Sequence, residues 1–171
     1  MKKVGILFAL LALLTFLARW FWPQESAFAG EPIDRLVVHK SKRKMMVYAG
    51  NRLLKTYKIS LGKNPVGHKE IEGDMRTPEG KYTINARNPN SSYYKNLGIS
   101  YPNDADRAHA ASLGKSAGGD IKIHGQPNGK TDWGRWHLMR DWTHGCIAVT
   151  NLEMEELYTW VIDGARIEIL P

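Results

Sequence analysis

Asp141-Trp142-Thr143-His144-Gly145-Cys146-Ile147-Ala148-Val149 decides how this chain is read, together with Ile121-Lys122-Ile123-His124-Gly125 upstream of it. Ile121 and Ile123 alternate with Lys122, the period of a half-buried strand, and that strand delivers His124 at its end. Cys146 lies between a Thr-His-Gly turn and the apolar Ile147-Ala148-Val149. Neighbouring strands would bring the two side chains within hydrogen-bonding reach. A thiol is a nucleophile as thiolate, and a nearby histidine takes its proton and holds the resulting charge. Gly145 leaves room for a tight bend and for close approach by substrate. The backbone N–H of Cys146, with that of Gly145, is a natural oxyanion donor; losing one such donor typically costs about 3 kcal/mol of barrier. The reaction class that uses these parts is acyl transfer through a thioester.

Two plainer readings compete. A lone cysteine is commonly a small buried hydrophobe, although an exported chain with one unpaired thiol calls for a reason. A zinc site from His124, His144, Cys146 and a fourth ligand such as His137 is the sharper rival, but its spacing matches no common ligand pattern. His39, His68 and His109 read as surface or structural, with His68 able to touch substrate. No cofactor or metal is required by the pattern.

Around these motifs the period is two. Leu36 and Val38, then Met46 and Tyr48, predict a strand pair; Gly50-Asn51 reads as a hairpin turn, and Leu53, Tyr57, Ile59 and Leu61 as a third strand. Thr77-Pro78-Glu79-Gly80 is a type I turn that starts a fourth strand, Lys81 to Ala86. Residues 88 to 103 read as an ordered loop, and its Tyr93, Tyr94 and Tyr101 make it the candidate substrate-covering segment. Asp104 to Leu113 is a short helix. Thr150-x-x-Glu153 is a capping box, after which Met154, Leu157, Tyr158 and Val161 mark an apolar helical stripe closed by Gly164, with a last strand at Ile167 and Ile169. Trp133, Trp136 and Trp142 either wall a cleft and stack on sugar or form a core cluster. Lys40, Lys42, Arg43 and Lys44 make a basic turn, either solvated or resting on anionic polymer.

Composition sets the outer limits. The chain has 171 residues, one domain's worth, and a net charge of +7 that favours an acidic partner. One cysteine excludes an intramolecular disulfide framework, zinc ribbons and iron–sulfur clusters. Residues 1–29 read apart from the rest. Lys2 and Lys3 precede the apolar run Val4 to Ala18, and Ala27-Phe28-Ala29 has the form of a cleavage site, so a signal peptide is expected. The alternative is an uncleaved anchor from Val4 to Trp22 in contact with the inner membrane. Either places residues 30–171 outside the cytoplasm, where 21 basic and 16 acidic side chains give a net of +5.

The His124-Gly125 and Thr143-His144-Gly145-Cys146 segments resemble the signature of the L,D-transpeptidase catalytic domain, or YkuD domain, in which Ile-His-Gly precedes Ser/Thr-His-Gly-Cys. Leu36 to Tyr48, Leu53 to Gly62 and the Thr77-Pro78-Glu79-Gly80-Lys81-Tyr82 turn resemble its opening strands and turn, so the likeness spans about Ile33 to Pro171. It implies a mainly β sandwich or barrel with a few short helices, one of them amphipathic and near the C-terminus. By the same resemblance Cys146 is the acylated residue, His124 the general base, and a backbone carbonyl near Gly125 orients that base. His144, Thr143, Trp142 and Tyr101 are then the substrate-binding candidates. The implied substrate is the peptidoglycan stem peptide: Cys146 attacks the third-position carbonyl, expels the terminal D-alanine, and passes the acyl group to an amine.

Ala148 stands where many members of that family carry Arg or Asn, which removes a planar fork for a carboxylate and implies different donor recognition. Asp141-Trp142-Thr143 with Cys146-Ile147-Ala148-Val149-Thr150, together with Pro65 to Glu70, resembles a Gram-negative subgroup, some of whose members hydrolyse wall linkages, including the bond to a wall-linked lipoprotein. Hydrolysis of the same bonds and an inactive wall-binding module are the alternatives. Expected partners are wall peptides and not nucleic acid, in the periplasm.

Overall fold

The computed structural model describes residues 2–21, 31–129 and 134–171. The expected cleavage motif Ala27-Phe28-Ala29, and Trp133, lie outside them. Helix α1 (Lys2–Phe21) carries exposed apolar side chains, among them Phe8, Leu11, Leu14 and Phe16.

Eight strands follow: β1 (Ile33–His39), β2 (Lys44–Ala49), β3 (Arg52–Lys58), β4 (Gly80–Ser91), β5 (Tyr94–Ile99), β6 (Lys122–His124), β7 (Ile147–Ala148) and β8 (Val161–Leu170). Helix α2 (Asp104–Ser112) falls between β5 and β6, and α3 (Asn151–Trp160) between β7 and β8. The strands lie in the order β3-β2-β1-β8-β4-β5-β6-β7. Most neighbours are antiparallel, whereas β1 with β8 and β6 with β7 run parallel.

Alternation explains β8, whose Ala165, Ile167 and Ile169 are buried while Arg166 and Glu168 are not. That strand therefore sits in the middle of the sheet although it ends the chain. β4 is long enough to serve two partners: Gly80–Thr83 pair with β8, and Ile84–Ser91 pair with β5. The sheet curls along it and closes on itself, because Ser60, just past β3, exchanges two 2.9 Å backbone hydrogen bonds with Ala148 of β7. Leu36, Val38, Val47, Ile59, Leu61, Ile123 and Ile147 fill the interior with no exposed surface.

Several sequence expectations are met. Gly50 turns the β2–β3 hairpin at φ 57°. Thr150 and Glu153 form a reciprocal capping box at α3, and α3 buries Met154 and Leu157. Two expectations are corrected. Residues 88 to 103 are not a loop, since β4 runs on to Ser91 and β5 occupies Tyr94–Ile99; Asn and Gly there masked a strand whose ladder is set by its neighbours. Gly164 does not close α3, which stops at Trp160; Val161 already pairs with Ile33, and Gly164 bends β8 at φ 78°.

The basic turn is also corrected. Lys40 is buried, with Nζ donating to the carbonyls of Gly67 and Thr77 and to Glu79 Oε1 at 2.5, 2.8 and 2.8 Å. Arg43 pairs with Asp141. Of that cluster, Lys42 and Lys44 are left as exposed cations.

Candidate active site

The register places the chemistry. Ile123 pairs with Ile147 and His124 with Ala148, so one step back along the parallel pair Lys122 lies beside Cys146. Side chains alternate across a strand. Ile123 and Ile147 point into the core, which leaves Lys122, His124 and Cys146 on the opposite face. All three line one cleft of about 390 Å³, walled by Asn88, Tyr93 and Asn96 of the β4–β5 hairpin and by Trp142, Thr143 and His144.

His124 is almost wholly buried, and its Nδ1 donates to the Gly125 carbonyl at 2.7 Å. A carbonyl only accepts, so the proton is on Nδ1 and Nε2 keeps its lone pair. The carbonyl expected from the resemblance is thus that of Gly125 itself. Gly125 has to be glycine, because a Cβ there would come within 2.5 Å of Asn151 Oδ1. Burial pushes the imidazole down to about 4, against the pull of the Gly125 hydrogen bond and helped by the Lys122 charge. Tyr93 lies against the ring at 4.7 Å between centroids, and Trp142 meets it edge-on at 5.6 Å.

Cys146 is partly exposed, with Sγ 3.5 Å from the Asp120 carbonyl. Burial raises its thiol above the ordinary value; a hydrogen bond from the Lys122 backbone and the Lys122 charge oppose the rise. Both shifts favour the uncharged forms of the thiol and the imidazole.

The turn before Cys146 is tied from within. Thr143 Oγ1 donates to the Cys146 carbonyl at 2.7 Å and accepts the Gly145 N–H at 3.1 Å. This corrects the oxyanion role expected of Gly145, because its N–H is already taken. The backbone at Gly145 requires glycine: φ is 127°, and a Cβ would lie 2.7 Å from the Arg76 carbonyl oxygen. Asp141 anchors the same segment from outside, accepting from Arg43 Nη2 at 2.7 Å and from the Leu61 N–H at 3.0 Å. The N–H groups of Trp142 and Thr143 both reach the Leu61 carbonyl.

Of the other expected contacts, Trp142 and Thr143 border the cleft, and His144 stands exposed at its rim near Lys63. Tyr101 does not belong there. It is buried, donates to the Ala117 carbonyl at 3.0 Å and packs edge-on against Tyr82, so its role is in the core. Ala148 shares the sheet but is fully buried and does not line the cleft. His68 is also structural: its Nδ1 accepts the Glu79 N–H, and Nε2 lies 3.3 Å from Asp106. Among the described residues no three His, Cys, Asp or Glu side chains converge on a metal position. Trp136 is exposed and shares a hollow of about 200 Å³ with Trp142, which places these two indoles at the surface beside the cleft and not in a core cluster.

Two positions went unread in the sequence. Asn128 clamps the tip of the β4–β5 hairpin, accepting from the Tyr94 N–H and donating to the Ser91 carbonyl, and so holds Tyr93 over His124. Asn151 accepts from the Gln126 N–H and steadies the residues after Gly125. An asparagine in a polar stretch carries no periodic signal, so neither role was legible.

The chain resembles known proteins over most of its domain. A family model described as the L,D-transpeptidase catalytic domain matches residues 33–169. YafK of Escherichia coli K12, which bears a provisional L,D-transpeptidase name, is 30% identical over 138 residues, covering 77% of this chain and 48% of that protein. Solved structures match as well, two of them at 26% identity. The helical cell shape determining protein Pgp2 of Campylobacter jejuni has TM-score 0.59 and 26% identity, covering 91% of this chain and 54% of that one. Bd1075 of Bdellovibrio bacteriovorus has TM-score 0.56 and 26% identity, covering 86% and 51%. The chain thus spans about half the length of these relatives. With the family model spanning the curled sheet and both motif strands, the chain belongs to the L,D-transpeptidase catalytic domain family.

Proposed function

We propose that this protein is a cysteine acyltransferase acting on peptidoglycan stem peptides. The observation that carries the reading is that His124, whose Nδ1 is committed to the Gly125 carbonyl, and Cys146, which directly precedes β7, line the same cleft. In this mechanism Cys146 Sγ attacks the stem-peptide carbonyl while its proton passes to His124 Nε2. The peptide bond breaks, the departing D-alanine amine takes that proton from His124, and a thioester on Cys146 remains. An acceptor amine then attacks the thioester, losing its proton to Nε2, and restores the thiol with a new amide bond formed. Thr143 holds the turn that presents the sulfur, and Tyr93 and Trp142 keep the imidazole in place.

Cys146 is partly exposed, so water reaches the same thioester. That favours a second reading, in which the product is hydrolysed, as in wall-linkage or lipoprotein-linkage cleavage. Whether an amine or water arrives first decides the outcome.

Incubating the protein with tetrapeptide muropeptides and following Cys146 by mass spectrometry tests the reading. The expected result is an acyl adduct with loss of D-alanine, absent in Cys146→Ala. Crosslinked products mark transfer, and tripeptide products without crosslinks mark hydrolysis. Folded protein that binds wall material without turnover marks an inactive binding module. The reading includes export, with α1 as the apolar segment that directs residues 30–171 to the periplasm.

A further inference from the structure

We propose that Lys122 is the anion anchor of the cleft, binding a free carboxylate of the donor peptide next to the bond that Cys146 breaks. The inference rests on the acyl-transfer reading and adds what the site selects.

Lys122 is one residue across the parallel β6–β7 pair from Cys146, on the face that also carries His124. Adjacent strands are about 4.8 Å apart. A peptide that ends one residue beyond its attacked carbonyl carries its carboxylate roughly 3.5 Å further along the chain. A lysine on the strand next to the nucleophile is placed for that group. Among the described residues lining the cleft, Lys122 is the one lysine or arginine.

Of the nearby cations, Lys63 stands exposed at the cleft rim, 3.5 Å from His144 Nε2, and does not line the cleft, while two others are engaged elsewhere. Lys69 is buried and bound to Asp74 and the Ile71 carbonyl, and Arg76 is bound to Glu70. Lys122 has a weaker tie. Its ammonium lies 3.4 Å from Asp120 Oδ1, and the Asp120 side chain is 90% exposed. Ion pairs of that kind contribute little and exchange readily with a better placed anion. The Lys122 charge is also felt at both Cys146 and His124, which agrees with its place on the face that carries them.

The test compares two donors on the full chain: a muropeptide tetrapeptide with a free terminal carboxylate, and the same peptide ending in a carboxamide. Acylation of Cys146 is followed by mass spectrometry. Wild type is expected to favour the carboxylate donor by about tenfold or more in kcat/KM, the scale of one charge-assisted hydrogen bond. Lys122→Met is expected to bring that ratio close to one, chiefly through KM, and Lys122→Arg to keep it. A wild-type ratio near one overturns the proposal, and so does an undiminished ratio in Lys122→Met. If Lys122→Met does not fold, Lys122→Gln is read by the same ratio. Wild-type protein that is acylated by neither donor overturns the acyl-transfer reading, and this proposal with it.

Discussion

His124 titrates far below an ordinary histidine, at about 4, because burial excludes its charged form. A general base works only when unprotonated. The acidic limb of kcat/KM for Cys146 acylation should therefore fall near pH 4 and not near 6.5, and a pH–rate profile checks it. The same shift acts on stability. Between pH 6.5 and 4 the unfolded chain takes up a proton at this histidine that the folded protein refuses, so stability rises with pH across that window. The His124 share is about 3 kcal/mol, fully present above pH 6.5 and lost as pH falls through 4. Denaturant unfolding at a series of pH values, with His124→Gln as the flattened control, measures it. Thr143→Val removes one donor and one acceptor from the turn before Cys146. It should cost about 1–3 kcal/mol in unfolding free energy, and slow the acylation of Cys146 by more than that loss of folded protein explains.

At the scale of elements, the cysteine segment is held by what lies around it. Arg43 leaves the β1–β2 turn to meet Asp141, and Asp141 also caps the Leu61 N–H, so a hairpin and the strand end after β3 converge on the residues before Cys146. Asp141→Ala should cost about 1–3 kcal/mol, because it leaves the Leu61 N–H without its acceptor and removes the carboxylate partner of Arg43. It should also lower kcat/KM more than Thr150→Ala, which removes only the α3 cap at about 1 kcal/mol. Thermal melts and acylation rates on both variants separate positioning from general loss of stability. The β4–β5 hairpin acts in the same way on the other wall, with Asn128 fixing the tip that carries Tyr93.

For the molecule as a whole, closure of the sheet through Ser60 and Ala148 makes the cleft. It brings the chain after β3 against β7 and seals the inner end of the β6–β7 pair. The N-terminal apolar helix bears on the proposed export. A periplasm-active alkaline phosphatase fused after Pro171 should be active when residues 1–29 are present and silent when they are deleted; equal activity in both would refute export by this segment.

The sequence by itself determined most of the strands and singled out the two segments that meet in the cleft. Alternation at β1, β6 and β8, the capping box at Thr150, and the His124 and Cys146 segments are local patterns, and local patterns survive without a fold; at β2 the core takes Met45 and Val47, not the Met46 and Tyr48 that the sequence suggested. Even the carbonyl that orients His124 lies one residue away in the chain. The tertiary structure decided everything that depends on residues far apart in sequence. It turned residues 88–91 and 94–99 into strand, since a ladder is supplied by neighbours and not by propensity. It moved Tyr101 from the site to the core, buried Lys40, and spent the Gly145 N–H on Thr143. It also set the β6–β7 register that places Lys122 beside Cys146, and register between strands from different parts of a chain is fixed only when the whole sheet packs.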